Sequence, residues 1–229
     1  MKTTTIRLAA LATMLTAASF GAHAAESADL AVQGMIRPSA CNVSLSGNGT
    51  VDFGTISALT LSETSATTLA ERNLTLTITC DAATRVSLVS ADNRASTANV
   101  SAGNAIANNA GSGNFVFGVG TVADHNVGAY LVRINSGTAT ADGSSVDTLR
   151  SYDHGATWGA INNSGQSWVV SGGRRAHSWA ASGTTSPSAY STIVQPLFVQ
   201  LAIGPTSELP ALTSAIPIDG LATLSLVYL

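Results

Sequence analysis

Asn73-Leu74-Thr75-Leu76-Thr77-Ile78-Thr79-Cys80 decides the fold class. Leu74, Leu76, Ile78 and Cys80 fall on one face of an extended chain, and Thr75, Thr77 and Thr79 fall on the other. A strict period of two, carried by β-favouring Thr and Ile, reads as a half-buried antiparallel strand. Its last residue is one of only two cysteines in the chain, the other being Cys41.

Working outward, the N-terminus reads as a leader. Lys2 and Arg7 make a basic start, Leu8 to Phe20 is uncharged and rich in Ala and Leu, and Ala22-His23-Ala24 is an A-x-A cleavage site. That pattern is a secretory signal peptide over residues 1–24. Its removal leaves about 205 residues as one domain, 25–229. Export favours disulfides, so Cys41–Cys80 is the default pairing, with free thiols or a metal site as the disfavoured alternatives. Lys2 is the only lysine and leaves with the leader, which excludes Schiff-base chemistry and Walker-type phosphate loops. The mature chain is mildly acidic and carries no basic stripe, so no nucleic-acid partner is expected.

Short alternating runs punctuated by Gly and Asn point to an all-β sandwich. The expected strands are Asp29–Pro38, leading into Cys41; Val51–Gly54 as a short strand or edge; Arg85–Val89; Phe115–Val119; Gly128–Ile134; Gln195–Ile203; and Leu221–Leu229. Leu59, Leu61 and Leu69 are expected to cap one end of the core, and the low-complexity run Ala91–Gly113 to be a mobile loop. Residues at about 135–190 read as a large hairpin-rich insertion holding Trp158, Trp168 and Trp179. A strand that runs to the last residue needs a central position or a partner to hold it, since termini fray.

Candidate chemistry is sparse. Ser151-Tyr152-Asp153-His154-Gly155-Ala156-Thr157-Trp158 matches the S-x-D-x-G-x-T-W Asp-box found in sialidases. A single copy without a repeat argues against a propeller and for a hairpin-stabilising turn. Trp158, Trp168, Trp179, Tyr152, Arg174 and Arg175 are the candidate ligand-binding residues, through aromatic faces and a guanidinium pair. The competing reading makes the aromatics a small local core. His125, His154 and His177 are scattered, and no H-E-x-x-H, G-x-S-x-G or C-x-x-C occurs. No enzyme activity, metal or cofactor is expected.

The order of these features, together with Val51-Asp52-Phe53-Gly54-Thr55-Ile56, Ala91-Asp92-Asn93-Arg94, Phe117-Gly118-Val119-Gly120-Thr121, Val127-Gly128-Ala129-Tyr130 and Pro217-Ile218-Asp219-Gly220, resembles pilin-type subunits of the chaperone–usher pathway. Within that class it is similar to a proteobacterial fimbrial-like family known as a domain of unknown function. The resemblance implies an immunoglobulin-like, pilin-type sandwich, incomplete by one strand. It implies a disulfide between the first two core strands, and chaperone or strand-complementation contact at Leu224, Leu226, Tyr228 and Leu229. It further implies a periplasmic chaperone, an outer-membrane usher and other fimbrial subunits as partners, with passage from the periplasm to a cell-surface fimbrium. With the first strand at Asp29, little chain remains ahead of it to donate. A tip, a terminator and a self-contained monomer are therefore all open roles. The alternative function is an adhesin-like module that binds a host glycan through the Trp-rich region.

Overall fold

The structure, a computed structural model, describes residues 29–35, 39–107, 115–161, 165–172 and 174–229. The expected signal peptide lies outside them. The chain divides into an N-terminal unit, Met1–Arg37, and a body, Pro38–Leu229.

In the N-terminal unit, residues 29–35 form no strand, and Leu30 and Val32 are 90% and 89% exposed. The strand expected at Asp29–Pro38 is therefore corrected for these residues, while residues 36–38 lie outside the description. Alternation specifies a strand only where a neighbouring ladder completes it. The first ladder of the body begins instead at Cys41.

The body is built from β1 (Cys41–Leu45), β2 (Arg72–Thr84), β3 (Val86–Asp92), α1 (Val100–Ile106), β4 (Gly128–Asn135), β5 (Asp147–Ser151), β6 (Gln166–Val169), β7 (Ala176–Ala180), β8 (Tyr190–Ile203) and β9 (Ala222–Tyr228). One sheet runs β1-β2-β8-β4-β6, with short strands attached. The other runs from the short strand Gly159–Ala160 through β5, β7 and β3 to β9. Every pairing between these strands is antiparallel. The protein is an all-β sandwich.

Leu74, Leu76, Ile78 and Cys80 are buried while Thr75 and Thr77 are half-buried and Thr79 is exposed, as the alternation requires. They pack with Leu88, Phe117, Ile134, Trp179, Ile193 and Leu197. Cys41 lies opposite Cys80 in the β1–β2 ladder, and the two form a disulfide. Pro196 sits in the long central strand β8 without breaking it. It is opposite Thr75 of β2, and β8 pairs β4 only from Phe198 onward, so no β4 residue needs the missing N–H.

Two further expectations are corrected. Val51–Gly54 forms no strand; Asp52 Oδ1 accepts from the Gly54 N–H at 2.7 Å, which turns the chain while Val51 and Phe53 pack on the core. Ala91–Gly113 is not a featureless loop over its described part. β3 continues to Asp92, and α1 follows, capped by the Asn99 side chain accepting from the Ala102 N–H at 2.9 Å. Small residues let α1 lie close to the sheet, where Ala102, Ile106 and Ala107 bury against Ala129, Leu131 and Ala202. Leu61 and Leu69 pack at an end of the core as expected, but Leu59 is 96% exposed. Residues 135–190 contribute β6 to one sheet and β5 and β7 to the other.

Candidate functional site

The outer edge of β9 is the principal feature. β9 pairs β3 along its whole length, from Ala222 opposite Asp92 to Tyr228 opposite Val86. Among the described residues no strand pairs its other edge. Ala222, Leu224 and Leu226 turn toward the core and remain half-buried, while Thr223, Ser225 and Val227 face solvent. On the opposite sheet β1 is likewise an edge strand.

Between these edges runs an apolar groove of about 450 Å³. Leu45 and Leu224 form part of its two rims, and Leu74, Leu197, Val199, Tyr130 and Val132 line its wall from the sheet of β1. Tyr130 stacks on Phe117 with ring centroids 5.2 Å apart. Burial raises the pKa of its hydroxyl well above the ordinary tyrosine value, with Asp92 adding to the effect. Gly220 lies against the same ring; a Cβ there would stand 2.8 Å from Tyr130 Cε1.

Several segments that carry the family resemblance meet beside this groove. Arg94 pairs with Asp219 at 2.6 Å, and the Asp219 N–H donates to the Val119 carbonyl at 2.9 Å. Asp92 accepts from the Gly118 N–H at 3.0 Å and from the Arg94 N–H at 2.8 Å. Residues scattered over more than half the chain thus fasten the segment that enters β9.

The four C-terminal candidates take different places. Leu224 lines the groove, and Leu226 packs on the core. Tyr228 is 52% exposed, and its Oη accepts a hydrogen bond from the Cys41 N–H at 2.8 Å. Leu229 is 48% exposed and donates its N–H to the Arg85 carbonyl at 3.1 Å.

The aromatic candidates do not form one cluster. Trp179 is fully buried, and its Nε1–H donates to Gln195 Oε1 at 3.1 Å, so of the two readings of the aromatics it takes the core one and offers no face to a ligand. Trp158 lies over the Asp-box turn, where a Cβ on Gly155 would meet its Cζ2 at 3.3 Å. That turn is a closed hydrogen-bond set: Asp153 accepts from the Ser151 hydroxyl, the Thr157 hydroxyl and the Thr157 N–H at 2.7, 2.6 and 2.9 Å. These bonds, the Thr157 hydroxyl foremost, hold the Asp153 carboxyl well below the usual carboxylate range. Arg174 is exposed, and its carbonyl accepts from the His154 N–H at 3.4 Å.

Tyr152, Trp168 and Arg175 do come together, joined by Arg150 and Phe115, which sequence reasoning missed. The Arg150 and Arg175 guanidiniums lie 4.9 and 4.8 Å from the Tyr152 ring centroid. Arg175 also lies 5.3 Å from the Phe115 ring, and Phe115 meets Trp168 edge-on at 5.4 Å. Burial lowers the Arg175 pKa, opposed by Tyr152 and reinforced by Arg150. The signal for Arg150 was present: it lies two residues from Tyr152, on the same face of an extended chain. Phe115 carried no such signal, because its approach is tertiary.

His177 meets Ser167 rather than an accessible nucleophile. The Ser167 hydroxyl and His177 Nε2 are 2.8 Å apart, and both residues are buried. Burial, with Arg175 and Arg150 adding to it, pushes the imidazole pKa down to about 3. Among the described residues, no group of three or more His, Cys, Asp and Glu side chains is arranged to hold a metal.

Fold and site together define a class: an all-β, disulfide-stapled sandwich with an open groove beside its C-terminal strand. The family model described as "Protein of unknown function (DUF1120)" matches residues 30–131. Protein GltF of Escherichia coli (strain K12) is 30% identical over 248 residues, covering 96% of this chain and 96% of the relative. Uncharacterized protein YhcF of the same organism is 28% identical over 238 residues, covering 92% and 94%. The chain belongs to this family.

Proposed function

We propose that the protein is a non-enzymatic, exported fimbrial-like structural or assembly subunit whose sandwich is completed by a strand from another chain. The observation that carries this reading is the open edge of β9 beside the 450 Å³ apolar groove. An edge offers unpaired N–H and C=O groups, and a groove offers sites for alternate side chains. An extended strand with a period-two apolar face satisfies both. A periplasmic chaperone would supply it first and another subunit later.

The exposed Leu30 and Val32 support the later step. Residues 29–35, 39 and 40 form no strand and the first described ladder begins at Cys41, which leaves chain ahead of that ladder for donation. The test is co-expression with a candidate chaperone followed by pull-down. A stable monomer that neither binds a chaperone nor exchanges strands with donor peptides sinks the reading.

A second reading rests on the exposed Tyr152 and its two guanidiniums. Among the described residues the ion pairs are Arg94–Asp219 and Arg133–Glu71, so Arg150, Arg174 and Arg175 carry no carboxylate partner. An adhesin-like module would use them on an acidic glycan. Glycan-array binding lost in Tyr152→Ala or Arg175→Ala, with the fold retained, supports it; an array with no binding at all removes it.

A further inference from the structure

We propose that the hydrogen bond between Tyr228 and Cys41 is a clasp that shuts one end of the groove, and that the segment from Asp29 to Arg37 of a second copy of this chain, which carries the exposed Leu30 and Val32, displaces it to pair along the full length of β1. This rests on the strand-acceptance reading above. Tyr228 closes β9, the edge of one sheet, and Cys41 opens β1, the edge of the other. The single bond between the Cys41 N–H and Tyr228 Oη, 2.8 Å long, therefore ties the two edges that flank the groove.

Its position explains where the groove is open. Leu45 and Leu224 line the groove, whereas Cys41 and Tyr228 do not. The groove is lined by Leu45 at the far end of β1 and by Ala222 and Leu224 at the far end of β9 from the clasp.

The clasp also occupies a specific rung. The Cys41 N–H points away from β2, because it donates to Tyr228. Backbone groups alternate along a strand, so the N–H groups of Val43 and Leu45 point to the same free side. A strand added to β1 finds Val43 and Leu45 available and Cys41 taken. Strand entry can begin at the open end, beside Leu45 and Leu224, and reaches the last rung only when Tyr228 lets go. The hydroxyl thus protects the groove end nearest the disulfide until a partner displaces it.

The test uses the exported chain and a fluorescent peptide of the sequence Asp29 to Arg37, with the same peptide carrying Val32→Asp as control. Association is followed by anisotropy for the wild type and for Tyr228→Phe, which keeps the ring on a half-exposed side chain and removes only the bond. Exchange of the Cys41 amide proton is measured by NMR in both proteins. The expected result is peptide binding about threefold to tenfold tighter in Tyr228→Phe, the factor one exposed hydrogen bond supplies. The control peptide does not bind, and the Cys41 amide is protected only in the wild type. Equal affinities overturn the clasp and leave strand acceptance standing. No peptide binding to either protein overturns this segment as the occupant, and the gating role with it, while the chaperone pull-down still decides strand acceptance itself. Unchanged Cys41 exchange in Tyr228→Phe overturns the bond itself.

Discussion

Gln195 shows how one buried polar side chain organises its surroundings. It is fully buried, and its Oε1 accepts from the Thr148 hydroxyl at 2.8 Å and from Trp179 Nε1 at 3.1 Å. Its Nε2 donates to the Thr138 hydroxyl at 3.2 Å and to the Pro196 carbonyl at 2.9 Å. Gln195→Leu leaves two buried donors without partners and is expected to destabilise by about 2–4 kcal/mol in urea unfolding. His177 supplies a pH dependence. Its pKa is about 3 in the folded protein against 6.5 for the free side chain, so the unfolded chain binds the proton more readily. Its contribution is fully present above pH 6.5 and is lost as pH falls from there toward 3. Thermal melts between pH 7 and 4 should show a falling midpoint, with a shallower fall in His177→Gln. Equal slopes would remove His177 as the cause. Sequence showed His177 only as a histidine in a Gly-rich stretch; its burial against Ser167 depends on β6 and β7 being brought face to face.

At the scale of elements, β1 has five residues and holds its place through the disulfide and the β2 ladder. Replacing both Cys41 and Cys80 by Ala is expected to cost about 3–4 kcal/mol by the chain-entropy argument for a loop of this size. Urea titration measures it, and a loss below about 1 kcal/mol would show that the ladder alone secures β1. The strand of Leu74, Leu76 and Ile78 was legible because its pattern and its partners agree. Asp29–Met35 has a similar alternation and forms no strand. Pattern states which face a strand would bury; a neighbour with free hydrogen bonds decides whether it forms. The Asp-box turn was legible for the opposite reason. Its side-chain bonds are between Ser151, Asp153, Gly155 and Thr157, so local sequence contains most of the cause; the His154 N–H reaches outside, to the Arg174 carbonyl. The left-handed φ values of 60° at His154 and 92° at Gly155 complete it.

At the scale of the whole molecule, two sheets share a core yet leave an apolar groove between the edges β1 and β9. A ligand that binds only the folded state stabilises it by mass action, about 2.7 kcal/mol at a hundredfold excess over Kd. If the groove accepts a strand, the melting temperature should rise with the concentration of the Asp29 to Arg37 peptide, as read by differential scanning fluorimetry. A midpoint independent of peptide would leave this segment without that role. The residues at about 135–190, expected as an insertion, enter both sheets, so Trp179 is buried in the common core and Trp158 over the Asp-box turn. Of the candidate aromatics, Tyr152 and Trp168 meet, through Arg175 and Phe115.

The sequence by itself determined the all-β class, the inward face of β2, the Cys41–Cys80 pairing, the Asp-box turn and the alternation of the C-terminal strand. Each follows from period, from a count of two cysteines or from bonds within a few residues. Only the tertiary structure decided that β9 is an edge, that a groove opens beside it, that Tyr228 reaches Cys41 and that Arg150 and Phe115 join Tyr152. These are contacts between residues as much as 187 positions apart. Side-chain pattern is a one-dimensional signal; which strands become neighbours, and which edges stay open, is set by how both sheets pack at once.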